Sequence, residues 1–115
     1  LAGICWIYKA EIRDFVYVED VANALLLIIK SNSKNEIFNV SSNTKNTIND
    51  LYLNLKNILN YKKDANYTNP REGDIRESVL DNTKIKKELG FKCEVEFKEG
   101  LKKIIIQEKK DLINV

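Results

Sequence analysis

Histidine and methionine are absent from this 115-residue sequence, which has only one proline, one tryptophan and two cysteines. The lack of histidine rules out metal sites that use imidazole ligands, and two thiols, Cys5 and Cys93, are too few for a zinc cluster. Because Cys5 lies in an apolar run, we expect it to be a buried free thiol. We therefore predict that the chain binds no metal.

Long apolar runs are also missing from the sequence. No stretch approaches the roughly 20 apolar residues that cross a bilayer, and none has the pattern of a secretory signal. These features predict a cytoplasmic protein that has no membrane partner. The chain starts at Leu1 rather than at a methionine, which leads us to expect a fragment of a longer protein.

Charge of one sign is not in excess either, since the formal net charge is +2 and the Lys and Glu residues are interleaved. Nucleic-acid binding usually requires a stronger basic excess on one face, so we expect no nucleic-acid partner. Hydrophobic residues make up 43% of the chain and charged residues 31%, which is typical of a globular domain and not of a disordered chain. We expect one domain with a modest core, covering residues 1–115.

Two strands and a helix are predicted at the start of the chain. Apolar and aromatic residues fill Ile4–Tyr8, and the alternation over Arg13–Val18 indicates a second strand. The short link between them predicts a hairpin, although it has no Gly or Asn to favour a primed turn. The helix is expected over Glu19–Ser31, with one apolar face formed by Val21, Ala24, Leu25, Ile28 and Ile29.

Periodicity and capping signals predict the remaining elements. Thr47 and Asp50 resemble a capping box at the start of a second helix, with Asp in place of the usual Glu. Gly90 is expected to end a third helix, which Asp81 caps. The other predicted elements are a strand at Glu36–Val40, short extended segments at Ala65–Thr68 and Glu77–Leu80, and a last helix over Phe97–Lys110. The predicted order is ββαβαβαα, and the fold class is mixed α and β.

The loop Asn69–Glu77 is the polar centre of the sequence. Within it, Arg71 and Asp74 are three residues apart and are separated by a Gly that lets backbone approach a ligand. A guanidinium group binds phosphate through two parallel hydrogen bonds, and a carboxylate can accept two bonds from a ribose diol. From the residues alone, a structural salt bridge and a ligand site remain equal alternatives.

Five motifs, in register over nearly the whole chain, resemble the C-terminal half of proteins of the NAD-dependent epimerase/dehydratase family. These proteins are extended short-chain dehydrogenases/reductases. They are Arg13–Ala24, Ile37–Val40, Arg71–Asp74, Asp81–Lys84 with Leu89–Phe91, and Glu99–Leu101. The resemblance implies a small C-terminal substrate-binding domain whose Rossmann half is absent.

The resemblance also implies a role for individual residues. The arginines that match Arg13 and Arg71 hold the diphosphate of a nucleotide-sugar in that family, and the aspartate that matches Asp74 binds the ribose. The strand that contains Trp6 and Tyr8 lies against the base, with core packing as the alternative for both side chains. We expect Arg13 and Arg71 to converge in space, held by Asp74 or Glu72 when no ligand is bound.

Catalytic residues and the cofactor site are expected to lie outside this chain. The family binds NAD on a Gly-rich turn and uses a Tyr and a Lys four residues apart, and the sequence has no such turn. Tyr52 and Lys56 have the spacing, but Tyr52 belongs to the apolar stripe of its helix, which favours a buried structural role. We therefore predict that NAD binds the full-length parent and not this chain.

The function that the resemblance favours is interconversion of a UDP-sugar by C4 epimerisation in the full-length protein. The partners are then the nucleotide-sugar and a missing N-terminal NAD-binding domain. Two alternatives remain. One is part of a dTDP-sugar 4,6-dehydratase, and the other is a stand-alone, non-catalytic module that binds a sugar nucleotide.

Overall fold

The structure is a computed structural model that describes residues 6–7 and 11–113, with the backbone alone at residues 6, 7 and 113. It has the mixed α and β class that the sequence predicts. The elements in chain order are β1 (Trp6–Ile7), β2 (Ile12–Arg13), α1 (Val18–Lys30), β3 (Asn46–Thr47), α2 (Ile48–Leu59), β4 (Asn66–Tyr67), β5 (Glu77–Ser78), α3 (Thr83–Leu89) and α4 (Phe97–Ile113).

The strands form two small sheets, and β2 is the centre of the larger one. It pairs antiparallel with β3 and parallel with β5, with Ile12 opposite Thr47 on one side and Glu77 on the other. The other sheet joins β1 and β4 in parallel, with Trp6 opposite Asn66. The predicted hairpin between the first two strands is therefore wrong, because partners distant in sequence occupy both edges of β2.

The predicted strand Arg13–Val18 is also wrong beyond its first residue. β2 ends at Arg13, and the carboxylate of the next residue, Asp14, accepts hydrogen bonds from the backbone N–H groups of Ser42 and Asn43. The Tyr17 carbonyl then accepts N–H groups of the first turn of α1, which starts at Val18.

Helix α1 confirms the predicted helix within one residue at each end, but its buried face matches the predicted apolar face only in part. Ala24 is fully buried and Ile28 packs beside it, whereas Leu25 and Ile29 are 54% and 77% exposed. The core joins α1, α3 and the loops that follow them. It consists of Ala24, Ile85 and Phe91, surrounded by the partly buried Leu27, Ile28, Phe38, Val40, Leu89 and Cys93.

The predicted start of α2 and the predicted end of α3 are confirmed. Asp50 N–H donates to the Thr47 hydroxyl at 3.0 Å, and the Asp50 carboxylate accepts from Thr47 N–H at 2.8 Å, which completes the capping box. At the start of α3 the N-cap residue is Asn82 and not Asp81 as predicted, although the Asp81 carboxylate accepts from Thr83 N–H at 2.8 Å. Gly90 ends that helix in the left-handed conformation.

Segment 36–40 belongs to no strand in the described part of the chain, so that prediction is wrong as a statement about pairing. Its burial nevertheless alternates, since Phe38 and Val40 pack against the core whereas Ile37 is 84% exposed. Alternating burial is one feature of a strand, and backbone pairing, the other feature, is not seen for this segment within the described residues.

The molecule is flat, with extents of 51 × 42 × 20 Å and a radius of gyration of 17.1 Å. A compact domain of this length would have a radius of gyration of about 13 Å. The chain is thus much less compact than a domain that buries its own core completely. Along the part of the chain that is described, no helix has the length and apolar character needed to cross a membrane.

Candidate functional site

The candidate site lies where β2 meets the end of the Asn69–Glu77 loop. Ile12 N–H donates to the Arg76 carbonyl at 2.8 Å, and Asp14 N–H donates to the Ser78 carbonyl at 3.2 Å. These bonds lie on either side of Arg13 and belong to the parallel pairing of β2 with β5. Arg13 is therefore held beside the loop although more than fifty residues of chain separate them.

The Arg13 guanidinium contacts this loop directly. Its Nη1 donates to the carbonyl of Ile75 at 2.9 Å and to that of Ile12 at 2.8 Å, and its Nη2 pairs with the Glu11 carboxylate. The side chain is 27% exposed. The carboxylate that holds Arg13 is therefore Glu11, and the expectation that Asp74 or Glu72 would do so is wrong for this arginine.

Arg71 and Asp74 form the ends of a tight turn in the loop. Asp74 N–H donates to the Arg71 carbonyl at 3.2 Å, and the Asp74 carboxylate accepts from Arg71 N–H at 3.1 Å. Gly73 has a φ of 87°, which suits the third position of a type II turn. No atom lies within 4 Å of a Cβ built on Gly73, so backbone conformation and not space requires glycine there.

The structure thus brings Arg13 to the loop that carries Arg71 and Asp74. Both loop side chains are exposed, and the Asp74 carboxylate retains acceptor sites beyond its one bond to the backbone. Trp6 is described by its backbone in β1. The Trp6 side chain, Tyr8 and Cys5 lie outside the described residues, so their predicted base contacts and burial stay predictions.

Two carboxylates for which no such role was predicted accept hydrogen bonds from the backbone of segments distant in sequence. The Asp14 carboxylate accepts from Ser42 N–H at 2.9 Å and from Asn43 N–H at 3.1 Å. The Asp20 carboxylate, 1% exposed, accepts from the N–H groups of Glu94 and Val95 at 3.0 and 3.1 Å. A signal for Asp20 was available, since it shares the inward side of α1 with Ala24.

The pair Tyr52 and Lys56 has structural partners. The Tyr52 hydroxyl donates to the Lys63 carbonyl at 2.8 Å, and the Lys56 ammonium donates to the Asp64 carboxylate at 2.5 Å. The bond to Asp64 raises the pKa of Lys56 and lowers the pKa of Asp64. Tyr52 is half-buried and not buried as expected, and none of the residues of α2 is fully buried.

Cys93 is the cysteine that lies within the described residues, and it is a half-buried free thiol. Its Sγ donates weakly to the Ser41 carbonyl at 3.4 Å. Burial raises the pKa of this thiol, and the nearby carboxylates of Asp20, Asp14 and Glu94 raise it further. The protonated thiol is therefore the favoured form at neutral pH. Within the described part of the chain, no cluster of three or more His, Cys, Asp or Glu side chains could hold a metal ion.

Comparison with known proteins gives a family match over most of the chain. The family described as GDP-mannose 4,6 dehydratase matches residues 8–104. A putative UDP-glucose 4-epimerase of Methanocaldococcus jannaschii is 39% identical over 95 residues, which are 83% of this chain and 30% of that protein. The dTDP-glucose 4,6-dehydratase of Shigella flexneri is 29% identical over 103 residues, covering 83% of this chain and 28% of that protein.

Two solved structures share the fold. The UDP-glucose 4-epimerase of Thermotoga maritima, solved with UDP-glucose, superposes with a TM-score of 0.86 at 40% identity, covering 94% of this chain and 35% of that one. The enzyme WbmF of Bordetella bronchiseptica, solved with NADH, superposes with a TM-score of 0.80 at 28% identity, covering 91% and 31%. This chain spans about a third of the length of the proteins that it matches.

Proposed function

We propose that this chain, which belongs to the GDP-mannose 4,6 dehydratase family, is the substrate-binding portion of a UDP-sugar 4-epimerase. The proteins that it is similar to include nucleotide-sugar epimerases and dehydratases. The similarity at 39% and 40% identity to two proteins named as UDP-glucose 4-epimerases supports the epimerase over the dehydratase. The whole enzyme would invert the configuration at C4 of the sugar.

The contact between the Arg13 guanidinium and the Ile75 carbonyl is the observation that carries this proposal. It places one guanidinium against the loop that holds the exposed Arg71. Two guanidinium groups near one another suit a diphosphate, because each can donate two parallel, charge-assisted hydrogen bonds. Asp74, three residues beyond Arg71 in the same turn, would accept the hydroxyl protons of the nucleotide ribose.

Glu11 gives the site a defined state before ligand binds. Its carboxylate neutralises Arg13 and restrains the side chain. An incoming diphosphate would compete with this carboxylate for the same N–H groups. The Arg13 side chain is 27% exposed, so part of its surface is open to a ligand.

NAD would supply the redox chemistry of the whole enzyme by accepting a hydride from the sugar and returning it. The described residues do not fit this cofactor. No Gly-rich turn leads into α1, α2 or α3, whose N-terminal flanking residues are Tyr17, Thr47 and Asn82. We therefore assign NAD to a different part of the enzyme.

The second candidate is the sugar-binding part of a dTDP-sugar 4,6-dehydratase, which the 29% identity to the Shigella flexneri enzyme favours. Both enzymes bind a nucleoside diphosphate sugar, so the same arginines would serve either one. The base and sugar distinguish them. A non-catalytic sugar-nucleotide module would use these residues in the same way and would differ only in lacking an NAD-binding partner.

Calorimetric titration of the chain with UDP, dTDP and UDP-glucose tests the proposal. We expect Arg13→Ala or Arg71→Ala to lower UDP affinity by roughly 10- to 150-fold, the equivalent of one charge-assisted bond of about 1.5–3 kcal/mol. The matched control is Arg76→Ala, because Arg76 is an exposed arginine at the end of the same loop. A folded chain that binds no nucleotide at millimolar concentration would refute the proposal, and tighter binding of dTDP than of UDP would favour the dehydratase.

A further inference from the structure

The Arg13 guanidinium has one edge that the backbone does not hold. Its Nη1 has two N–H groups, and the carbonyls of Ile12 and Ile75 accept hydrogen bonds from Nη1 at 2.8 and 2.9 Å. A guanidinium binds phosphate most strongly through two parallel N–H groups along one edge. Because Nη1 is held by the backbone, the edge that can receive a phosphate is the one formed by Nε and Nη2.

The Glu11 carboxylate lies at this edge, where it pairs with Nη2 of Arg13. The backbone fixes its position, since Ile48 N–H donates to the Glu11 carbonyl at 2.9 Å and Ile12 N–H donates to the Arg76 carbonyl at 2.8 Å. The paired side chains of Glu11 and Arg13 are 24% and 27% exposed, so water screens their attraction less than in a fully exposed ion pair. Glu11 is therefore an anion that the chain itself supplies to Arg13.

Arg71, the other arginine of the site, is in a different state. Its backbone N–H and carbonyl bond to Asp74 across the turn, and its side chain is exposed. Among the described residues, no ion pair includes the Arg71 guanidinium. One arginine is thus open to an anion, whereas an acid of the chain occupies the other.

We propose that Glu11 is a latch on Arg13, which the outer phosphate of a nucleoside diphosphate opens. This inference rests on the proposed function, because it concerns the same diphosphate site. Asp74, to which that function assigns the ribose, is in the same turn as Arg71. The phosphate next to the ribose therefore meets Arg71, and the outer phosphate meets Arg13. To bind there, the outer phosphate must displace the Glu11 carboxylate.

The latch lowers the affinity for diphosphates and leaves the affinity for monophosphates unchanged. A carboxylate that the chain holds beside its partner competes at a high effective concentration. Loss of the ion pair between Glu11 and Arg13 therefore offsets part of the free energy gained when the outer phosphate binds. A nucleoside monophosphate has no outer phosphate and leaves this pair intact. In the proposed epimerase, Glu11 would thus speed the release of the nucleotide-sugar product.

Calorimetric titration of the chain with UDP and with UMP tests the latch. Glu11→Gln keeps the size of the side chain and removes its charge. We expect it to raise UDP affinity by roughly 5- to 20-fold, an effect between that of an exposed ion pair and that of a charge-assisted hydrogen bond, and to leave UMP affinity unchanged. The matched control is Glu77→Gln, because Glu77 in β5 pairs with Lys45 and not with Arg13. It removes an equal charge and should change UDP affinity little.

A double-mutant cycle separates the latch from a general effect of charge. In a chain that also carries Arg13→Ala, Glu11→Gln should have no effect on UDP affinity, because the latch then has no partner. Glu11→Ala provides a second variant, which removes the carboxylate without leaving an amide that could still bond to Nη2 of Arg13. If neither Glu11 variant raises UDP affinity, the latch does not exist. An equal gain for UMP, from Glu77→Gln or in the Arg13→Ala background would overturn it as well.

The same titrations distinguish the latch from the proposed function. If the wild-type chain binds UDP and loses affinity with Arg13→Ala, the diphosphate site stands, and the response to the Glu11 variants alone decides on the latch. If neither the wild-type chain nor the Glu11 variants bind UDP at millimolar concentration, the proposed function fails and the latch fails with it.

Discussion

At the scale of single residues, carboxylates that accept backbone hydrogen bonds organise this chain. A buried charge is stable only when it is paired or hydrogen-bonded, and Asp20 meets this requirement through two N–H groups of a loop more than seventy residues away. The Asp14 carboxylate likewise accepts a hydrogen bond from the backbone N–H of Ser42. Asp14 therefore links the end of β2 to the turn at Ser42, and Asp20 links α1 to the loop at Glu94.

Replacing Asp20 with Asn should destabilise the fold. The amide keeps the size of the side chain, but its NH₂ group would face a backbone N–H where a carboxylate oxygen accepted one. We expect a fall of roughly 1.5–3 kcal/mol in the free energy of unfolding, measured by urea denaturation. The control is Asp64→Asn, at a side chain that is 91% exposed, which should change the midpoint little. If both variants unfold at the same urea concentration, the buried carboxylate has no stabilising role.

Sequence reasoning identified Arg13 through its motif but missed its partner. Glu11 directly precedes β2 and lies two residues from Arg13, and residues with this spacing lie on the same side of an extended chain. That spacing was a usable signal. The contact of Arg13 with Ile75 could not have been read from the sequence, because it depends on the parallel pairing of two strands that are distant along the chain.

At the scale of elements, the helices were predictable because their signals are local. Thr47 and Asp50 lie three residues apart, and their reciprocal bonds fix the start of α2. The hydrogen bonds from the Thr47 side chain and backbone hold the pKa of Asp50 below its usual value. The charged form of Asp50 therefore favours the folded state.

The capping box should make a pH-dependent contribution to stability. Thr47→Ala should lower the free energy of unfolding by about 1 kcal/mol at pH 7, whereas Thr68→Ala, at an exposed threonine, serves as the control. Because the pKa of Asp50 is depressed in the folded state, its contribution is complete above the unfolded value of about 3.9 and is lost as the pH falls through the lower, folded value. The stability gap between wild type and Asp50→Asn should thus close below about pH 4. A gap that is constant from pH 7 to pH 3 would contradict this assignment.

Strand pairing and helix faces were harder to predict for a physical reason. β2 pairs with segments that begin at Asn46 and Glu77, and neither partner is marked in the sequence near β2. The spacing of Leu25 and Ile29 is helical and apolar, but periodicity does not say which of two apolar arcs a small core will cover. Here the core covers the side of Ala24 and leaves Leu25 exposed.

At the scale of the whole molecule, the chain is a thin layer with a core of few residues. Such a layer can present a loop-borne binding site, because β2 and β5 fix the loop without help from a large core. It has no surface that resembles a dinucleotide site among its described residues. Substrate binding and redox chemistry are thereby separated into different parts of the proposed enzyme.

The isolated chain should bind UDP but should neither bind NAD in the micromolar range nor convert UDP-glucose. The reason is that the sequence has four glycines and none forms the Gly-rich turn on which the pyrophosphate of NAD rests. Calorimetry with NAD and a coupled epimerase assay measure the two properties, and UDP binding in the same preparation shows that the chain is folded. Turnover of UDP-glucose by the chain alone would mean that a catalytic site has been overlooked.

The most direct measurement of the nucleotide site is a titration of the ¹⁵N-labelled chain with UDP, followed by amide chemical shifts. We expect saturable amide shifts at Arg13 and at Arg71 through Asp74. We expect none at Lys84 in α3 or at Glu36, which form an ion pair with each other. Arg71→Ala should weaken the titration without changing the remainder of the spectrum. Saturable shifts that cluster elsewhere, or a spectrum that UDP leaves unchanged at millimolar concentration, would contradict the assignment of this loop as the diphosphate site.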